Sequence, residues 1–226
     1  YDRRGRGSST DTLPYAVQRE IEDIEALIDH AGGAAYLSGI SSGAALALEA
    51  ALALGGKVLK LALYEPPYND DPDARAGWVQ FRQQVDQALA QGRHADAVGL
   101  FMMLLGVPAE GLAEMQQYPM WALWEGIAPT IAYDAAALGA EAAVPADRAA
   151  ALLFSLTGQS TDAWFAPVLE RFAKAGLPAR VSRISRWSTL SVFAVLTVII
   201  GAWHDWQFGG SFGHRGFTDI LPLLAL

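Results

Sequence analysis

Cysteine is absent from the chain of 226 residues. Disulfides and thiolate metal sites are therefore excluded, and the composition fits a reducing, cytoplasmic setting. Positive charge is sparse as well: Lys and Arg total 16 against 24 Asp and Glu, for a net charge of −8. No block of Lys and Arg tracks a phosphate backbone, so nucleic acid is not an expected partner. Charged residues of all kinds make up only 18% and apolar ones 52%, which excludes general disorder and allows a full core. No H-x-x-H spacing or acidic cluster suggests a metal, and no cofactor is expected. There is no signal-peptide pattern at Tyr1, and DILPLLAL ends in an apolar run, so both ends read as cut.

What is present alternates in type. Residues 1–15, YDRRGRGSSTDTLPY, read as a charged loop following a strand. Val17, Ile21, Ile24, Leu27 and Ile28 form one helical stripe, with acids and Arg19 on the opposite face. AAYLSGI predicts a strand, AALALEAALAL a helix closed by Gly55-Gly56, and VLKLALY a second buried strand. Helix, strand, helix, strand indicates a parallel sheet. From Asp70 to Leu138 only helices are legible, which predicts a cap inserted between strands. ALLFSLTG (151–158) restores a strand, AWFAPVLERFAKAG (163–176) a helix, and LPARVSRI a last short strand.

The junction between the first strand and its helix reads Gly39-Ile40-Ser41-Ser42-Gly43, matching G-x-S-x-G. A serine at a sharp strand-to-helix turn has its hydroxyl pushed above the sheet edge, with the glycines two residues either side letting the chains pass closely. The helix that follows aims its N-terminal N–H groups at the same spot, which suits a developing oxyanion. Ser41 is the candidate nucleophile and the N–H of Ser42 an oxyanion donor. The plainer reading is a strand–helix turn with N-capping serines.

With the elbow, YDRRGRGSS, GGAAYLSGISSGAALALEAA (32–51) and LALYEPPY (61–68), the chain resembles the α/β-hydrolase superfamily over about residues 1–182. The resemblance implies an eight-stranded, mostly parallel sheet with a helical lid after the sixth strand and a Ser–acid–His triad. Hydrolysis of esters, thioesters or amides is the implied activity. VLKLALY would be the sixth strand and ALLFSLTG the seventh, with the strands and second oxyanion loop before Tyr1 lying upstream. The triad acid falls on one of two carboxylates. Asp162 follows the seventh strand, although it equally fits an N-cap, and Glu65 follows the sixth in YEPP, where it also fits a structural partner of the lid or of the loop. The triad histidine is not legible: His30 ends a helix, His94 lies in the cap, and His204 and His214 lie far along the tail. Without a base, serine is a poor nucleophile, so the reading covers an active enzyme and an inactive remnant alike.

The cap concentrates large apolar residues. Met102, Met120, Trp121 and Trp124 are candidates for an acyl or alcohol pocket above Ser41, or for ordinary helix packing. After Arg186 the composition changes: residues 187–203 carry no charge, which reads as a membrane span at the lower limit of length, with Trp187 and Trp203 at the ends, or as a buried core segment. Residues 203–226 resemble a segment between helices of multi-pass bacterial membrane proteins. The domain reading is therefore a hydrolase core at 1–69, a cap at 70–148, a return to the core at 149–184 and an apolar tail at 185–226. The fold expected is a truncated α/β-hydrolase sheet with a helical cap and an apolar extension. The function expected is a serine hydrolase of small-molecule esters or amides, the alternative being a non-catalytic, membrane-associated fusion or fragment.

Overall fold

The computed structural model describes residues 1–150, 152, 156–159, 166–175 and 180–181. Tyr1–Arg180 forms one compact unit. It opens with a turn-rich loop and helix α1 (Val17–His30), then strand β1 (Ala35–Ile40) and helix α2 (Ser42–Leu54). A short 3-10 turn leads into β2 (Val58–Tyr64). Five helices follow: α3 (Pro72–Ala90), α4 (His94–Leu104), α5 (Ala109–Met115), α6 (Pro119–Gly126) and α7 (Pro129–Leu138). The described chain ends with α8 (Ala146–Ala149), β3 (Leu156–Gln159), α9 (Ala166–Lys174) and β4 (Arg180–Val181).

The strands are ordered β1-β2-β3-β4. β1 pairs with β2 in parallel, Leu37 against Leu61 and Ile40 against Tyr64, and β2 pairs with β3 in parallel, Leu61 against Leu156. Parallel neighbours need crossovers. α2 supplies the first, and the cap together with α8 lies within the second.

α2 is apolar nearly all round, and seven of its residues are buried between Ala44 and Ala51. A helix of that kind has to be enclosed. It packs on both β1 and β2, with α1 and α7 against its other sides. Its alanines allow close approach, and Leu46 and Leu48 fill the core with Leu61 and Leu63 of β2 and Ile21, Ile24 and Ile28 of α1. Gly55, at φ 52°, ends the helix.

Two expectations need correction. Leu27, placed on the buried stripe of α1, is 45% exposed, and Glu20, placed on the solvent face, is fully buried. The N-terminal loop explains the second. Arg3 grips both carboxylate oxygens of Glu20, Nε to Oε2 at 2.6 Å and Nη2 to Oε1 at 2.7 Å, and its Nη1 donates to Asp134 of α7 at 2.7 Å. The Tyr15 hydroxyl also donates to Glu20, and the Tyr15 ring stacks on Tyr133 of α7 at 3.8 Å. A buried carboxylate is tolerable only when paired and hydrogen-bonded in this way. Burial pushes the Glu20 carboxyl up, but the hydrogen bond and charge of Arg3, helped by Tyr15, outweigh it and hold the group below its ordinary value. Burial, then the bond to Glu20, pushes the Tyr15 hydroxyl up.

The helices α3 to α7, where the sequence reading expects a cap, contain a second cluster of buried residues. Trp121, Val98, Ala97, Ala88 and Ala128 are buried together, and Met102, Met115 and Trp124 pack against them. This stretch of helices joins the sheet through a neck in which outgoing and returning chain run side by side. Asn69 N–H donates to the Ala142 carbonyl at 2.8 Å, and Val144 N–H donates to the Asp70 carboxylate at 3.1 Å. An Arg75–Glu141 ion pair sits beside them.

Candidate active site

The site is built at the C-terminal ends of β1 and β2. β1 stops at Ile40, and Ser41 turns the chain into α2 with φ 54° and ψ −126°. That conformation is costly for a residue with a Cβ, and such strain persists only where the surroundings impose it. Here two contacts do so. The Ser41 N–H donates to the Tyr64 carbonyl at the end of β2 (2.9 Å), and the Ser41 carbonyl accepts from Ala44 N–H at 2.9 Å as α2 begins. Ser41 itself is exposed.

The two flanking glycines are not equivalent. A Cβ on Gly39 would lie 2.2 Å from the Gly43 carbonyl oxygen, so only glycine lets strand and helix pass there. A Cβ on Gly43 would meet nothing within 4 Å. The sequence expectation that both glycines serve close passage therefore holds for Gly39 alone. Because the Ser41 N–H is committed to Tyr64, it cannot serve an oxyanion. The N–H of Ser42 makes no backbone hydrogen bond among the described residues and stands at the first turn of α2. It is thus free to receive developing negative charge, where the helix N-terminus favours it.

Glu65 follows immediately on the strand beside Ser41. The strands lie ~4.8 Å apart, and the backbone bond from Ser41 to Tyr64 fixes the two turns against each other. Glu65 is also in the left-handed region, at φ 48°, and is half-buried. The loop after it is anchored by Tyr68, which is 2% exposed in the main core. Burial, then the charge of Glu49, pushes the Tyr68 hydroxyl up, although Arg148 opposes this.

The other candidates are placed less favourably or lie outside the described residues. Met102, Trp121 and Trp124 pack within the second buried cluster, the two Trp rings edge to face at 6.0 Å. Met120 is half-buried and outside that cluster. Asp162 lies outside the described residues, as do His204 and His214. His30 ends α1 before β1 begins, at the far end of that strand from Ser41. Six strand residues separate the two levels, roughly 20 Å. His94 opens α4 in the cap. Among the described residues no cluster of His, Asp and Glu could hold a metal ion.

The buried Arg3–Glu20–Asp134 network was not legible from the sequence, and the only available signal was the density of Arg in YDRRGRG. It touches no candidate catalytic group. Its effect is to hold the N-terminal loop, α1 and the last cap helix together.

A parallel sheet whose strand turns into a helix through a strained, exposed serine defines a hydrolase-type α/β architecture. The sequence model of the Alpha/beta hydrolase family matches residues 1–211. An alpha/beta hydrolase from Sphaerobacter thermophilus shares 39% identity over 88% of this chain and 80% of its own, with a TM-score of 0.64. The chain belongs to the alpha/beta hydrolase family. At lower identity the fold recurs in MGS-M2, an alpha/beta hydrolase enzyme from a Medee basin deep-sea metagenome library (16%, 92% and 80% covered, TM-score 0.56). It recurs again in a hydrolase from Pseudomonas aeruginosa (21%, 89% and 78% covered, TM-score 0.52). No curated protein matches the chain. The family match takes in the apolar run 187–203, which the sequence pattern assigned to a separate tail, and the resemblance of 203–226 to membrane proteins receives no support. That run lies outside the described residues, and no helix among those described is long and apolar enough to cross a membrane.

Proposed function

We propose that the chain is a serine hydrolase that cleaves small-molecule esters, thioesters or amides through an acyl-enzyme on Ser41. The observation that carries this reading is the backbone of Ser41, held at φ 54° between β1 and α2 with the residue exposed. The Ser41 Oγ adds to the substrate carbonyl carbon while its proton passes to a general base. The carbonyl oxygen becomes an oxyanion received by the Ser42 N–H and the start of α2. Collapse expels the alcohol, thiol or amine with that proton, and water repeats the sequence to release the acid.

Glu65 is the carboxylate we assign to orient the base, because it stands at the end of the strand hydrogen-bonded to the elbow. Asp162 is the competing assignment. The Met and Trp residues of the cap divide: Met102, Trp121 and Trp124 stabilise the cap, while Met120 remains a pocket candidate. The non-catalytic, membrane-associated reading is favoured by no observation on the described residues.

Pre-steady-state hydrolysis of p-nitrophenyl acetate tests the assignment. Wild type should show a burst, and Ser41→Ala should show none. Glu65→Gln should lower turnover by about 10²–10⁴-fold, as for loss of an orienting acid. Full turnover in Glu65→Gln with loss in Asp162→Asn would move the acid to Asp162. A burst in Ser41→Ala would end the proposal.

A further inference from the structure

Beyond catalysis, the cap carries a surface that the sheet does not cover. Of twelve exposed large apolar side chains among the described residues, six fall between Met103 and Ile127: Met103, Leu104, Leu105, Tyr118, Leu123 and Ile127. Leu123 and Ile127, four residues apart, share one stripe of α6 and its C-terminal cap, away from the buried Trp121. Met103 continues into a cleft of about 400 Å³ between α3, α4 and α5, with Leu100 and Leu112 in its lining and Gln84, Gln87 and Gln116 beside them. These residues lie on helices that touch one another, α4 against α5 and α6, and exposed apolar surface on neighbouring helices is the kind that contact sites use.

The charge around it is mainly negative, and Arg93, the one cation in the cleft lining, is paired with Asp96. From His94 to Asp147 the sequence contains no Lys or Arg. Glu110, Glu114 and Glu125 alternate in sequence with the exposed apolar residues, and none makes an ion pair among the described residues. Three other acids of the segment are answered: Asp96 by Arg93, Asp134 by Arg3 and Arg6, Glu141 by Arg75. Unanswered negative charge beside bare apolar surface disfavours a second copy of the same face and an anionic bilayer, since each brings like charge. It suits a partner that is apolar and positive together.

We propose that the α4–α6 face of the cap docks a cationic amphipathic peptide segment of another protein. Apolar side chains of the segment cover Leu104 and Leu105 and enter the cleft at Met103, while its Lys or Arg residues meet Glu110 and Glu114. This does not depend on the chemistry at Ser41.

The probe is a fluorescent amphipathic peptide of leucine and lysine, titrated against the full chain by anisotropy, with a leucine and glutamate peptide as its counterpart. The lysine peptide should bind, more weakly at high salt, and the glutamate peptide should not. Glu110→Gln/Glu114→Gln should weaken binding about fivefold or more, and Leu105→Ser should weaken it as well. Glu22→Gln/Glu170→Gln, which removes the same charge from α1 and α9, should leave it unchanged. Equal weakening by both charge pairs would reduce the effect to net charge and overturn the proposal. So would cosedimentation with anionic vesicles, or a dimer that forms through this face without peptide. Circular dichroism establishes that each variant is folded.

Discussion

The elbow and the N-terminal network are opposite uses of the same small volume of protein. At the elbow, adjacent strands end in two non-glycine residues at positive φ, Ser41 and Glu65, with one backbone hydrogen bond joining the turns. Backbone strain of this kind costs about 1–3 kcal/mol per residue. In the network, Glu20 is fully buried and both of its oxygens are satisfied, by Arg3 and Tyr15. It aligns the loop, α1 and α7 and offers no reactive group to solvent. Exposed backbone strain is the feature on which the proposed chemistry rests, and buried paired charge is the feature of the scaffold around it.

The largest expected effect separates the two outright. Ser41→Ala should remove esterase activity by at least about a thousandfold, the scale on which a triad nucleophile counts, and leave the melting temperature unchanged. Ser41→Gly should be equally inactive yet more stable, by about 1–2 kcal/mol, because glycine takes up φ 54° without penalty. Denaturant unfolding checks this, and a destabilised glycine variant would show that the turn is not strained.

Glu20→Gln should act in the opposite sense. Leaving the Arg3 guanidinium buried without its main partner costs about 3–5 kcal/mol, read by the same unfolding measurement, while the folded fraction keeps its reactivity toward a serine probe. Loss of reactivity in folded Glu20→Gln would tie the network to the site. The pH dependence sharpens this. The folded Glu20 carboxyl lies below its ordinary value, so its stabilisation is complete above the unfolded value of about 4.3. It is lost as pH falls through the folded value. The melting temperature of wild type should therefore fall more steeply with acid below about pH 4.3 than that of Glu20→Gln.

The smallest effects compare the two glycines. Gly39→Ala forces a methyl against the Gly43 carbonyl and should cost about 1–3 kcal/mol with a loss of activity. Gly43→Ala meets open space inside a helix and should be neutral or stabilising by up to ~1 kcal/mol. Equal penalties would contradict the close approach described for Gly39.

These differences also show which features a sequence can display. β2 was legible to the residue as VLKLALY, and the elbow followed from G-x-S-x-G placed between a strand and a helix, because both patterns are local. Glu20 was not legible: periodicity assigns an acid to the outer face, and the partner that reverses this, Arg3, is 17 residues away in a loop. The strand expected from residue 151 is described only at Leu156–Gln159, after the short helix α8 that no pattern announced. Trp121 and Trp124 showed the same ambiguity in another form, since an apolar stripe looks alike whether it packs on a neighbouring helix or faces a ligand. Spacing cannot tell these apart.

The two serines of the elbow allow one direct test of the central claim. The full chain is treated with a fluorophosphonate probe, and the modified peptide is sequenced by mass spectrometry. The account predicts a phosphonate on Ser41, absent in Ser41→Ala, with Ser42 unmodified in both. An adduct on Ser42, or no adduct on folded protein, would contradict it.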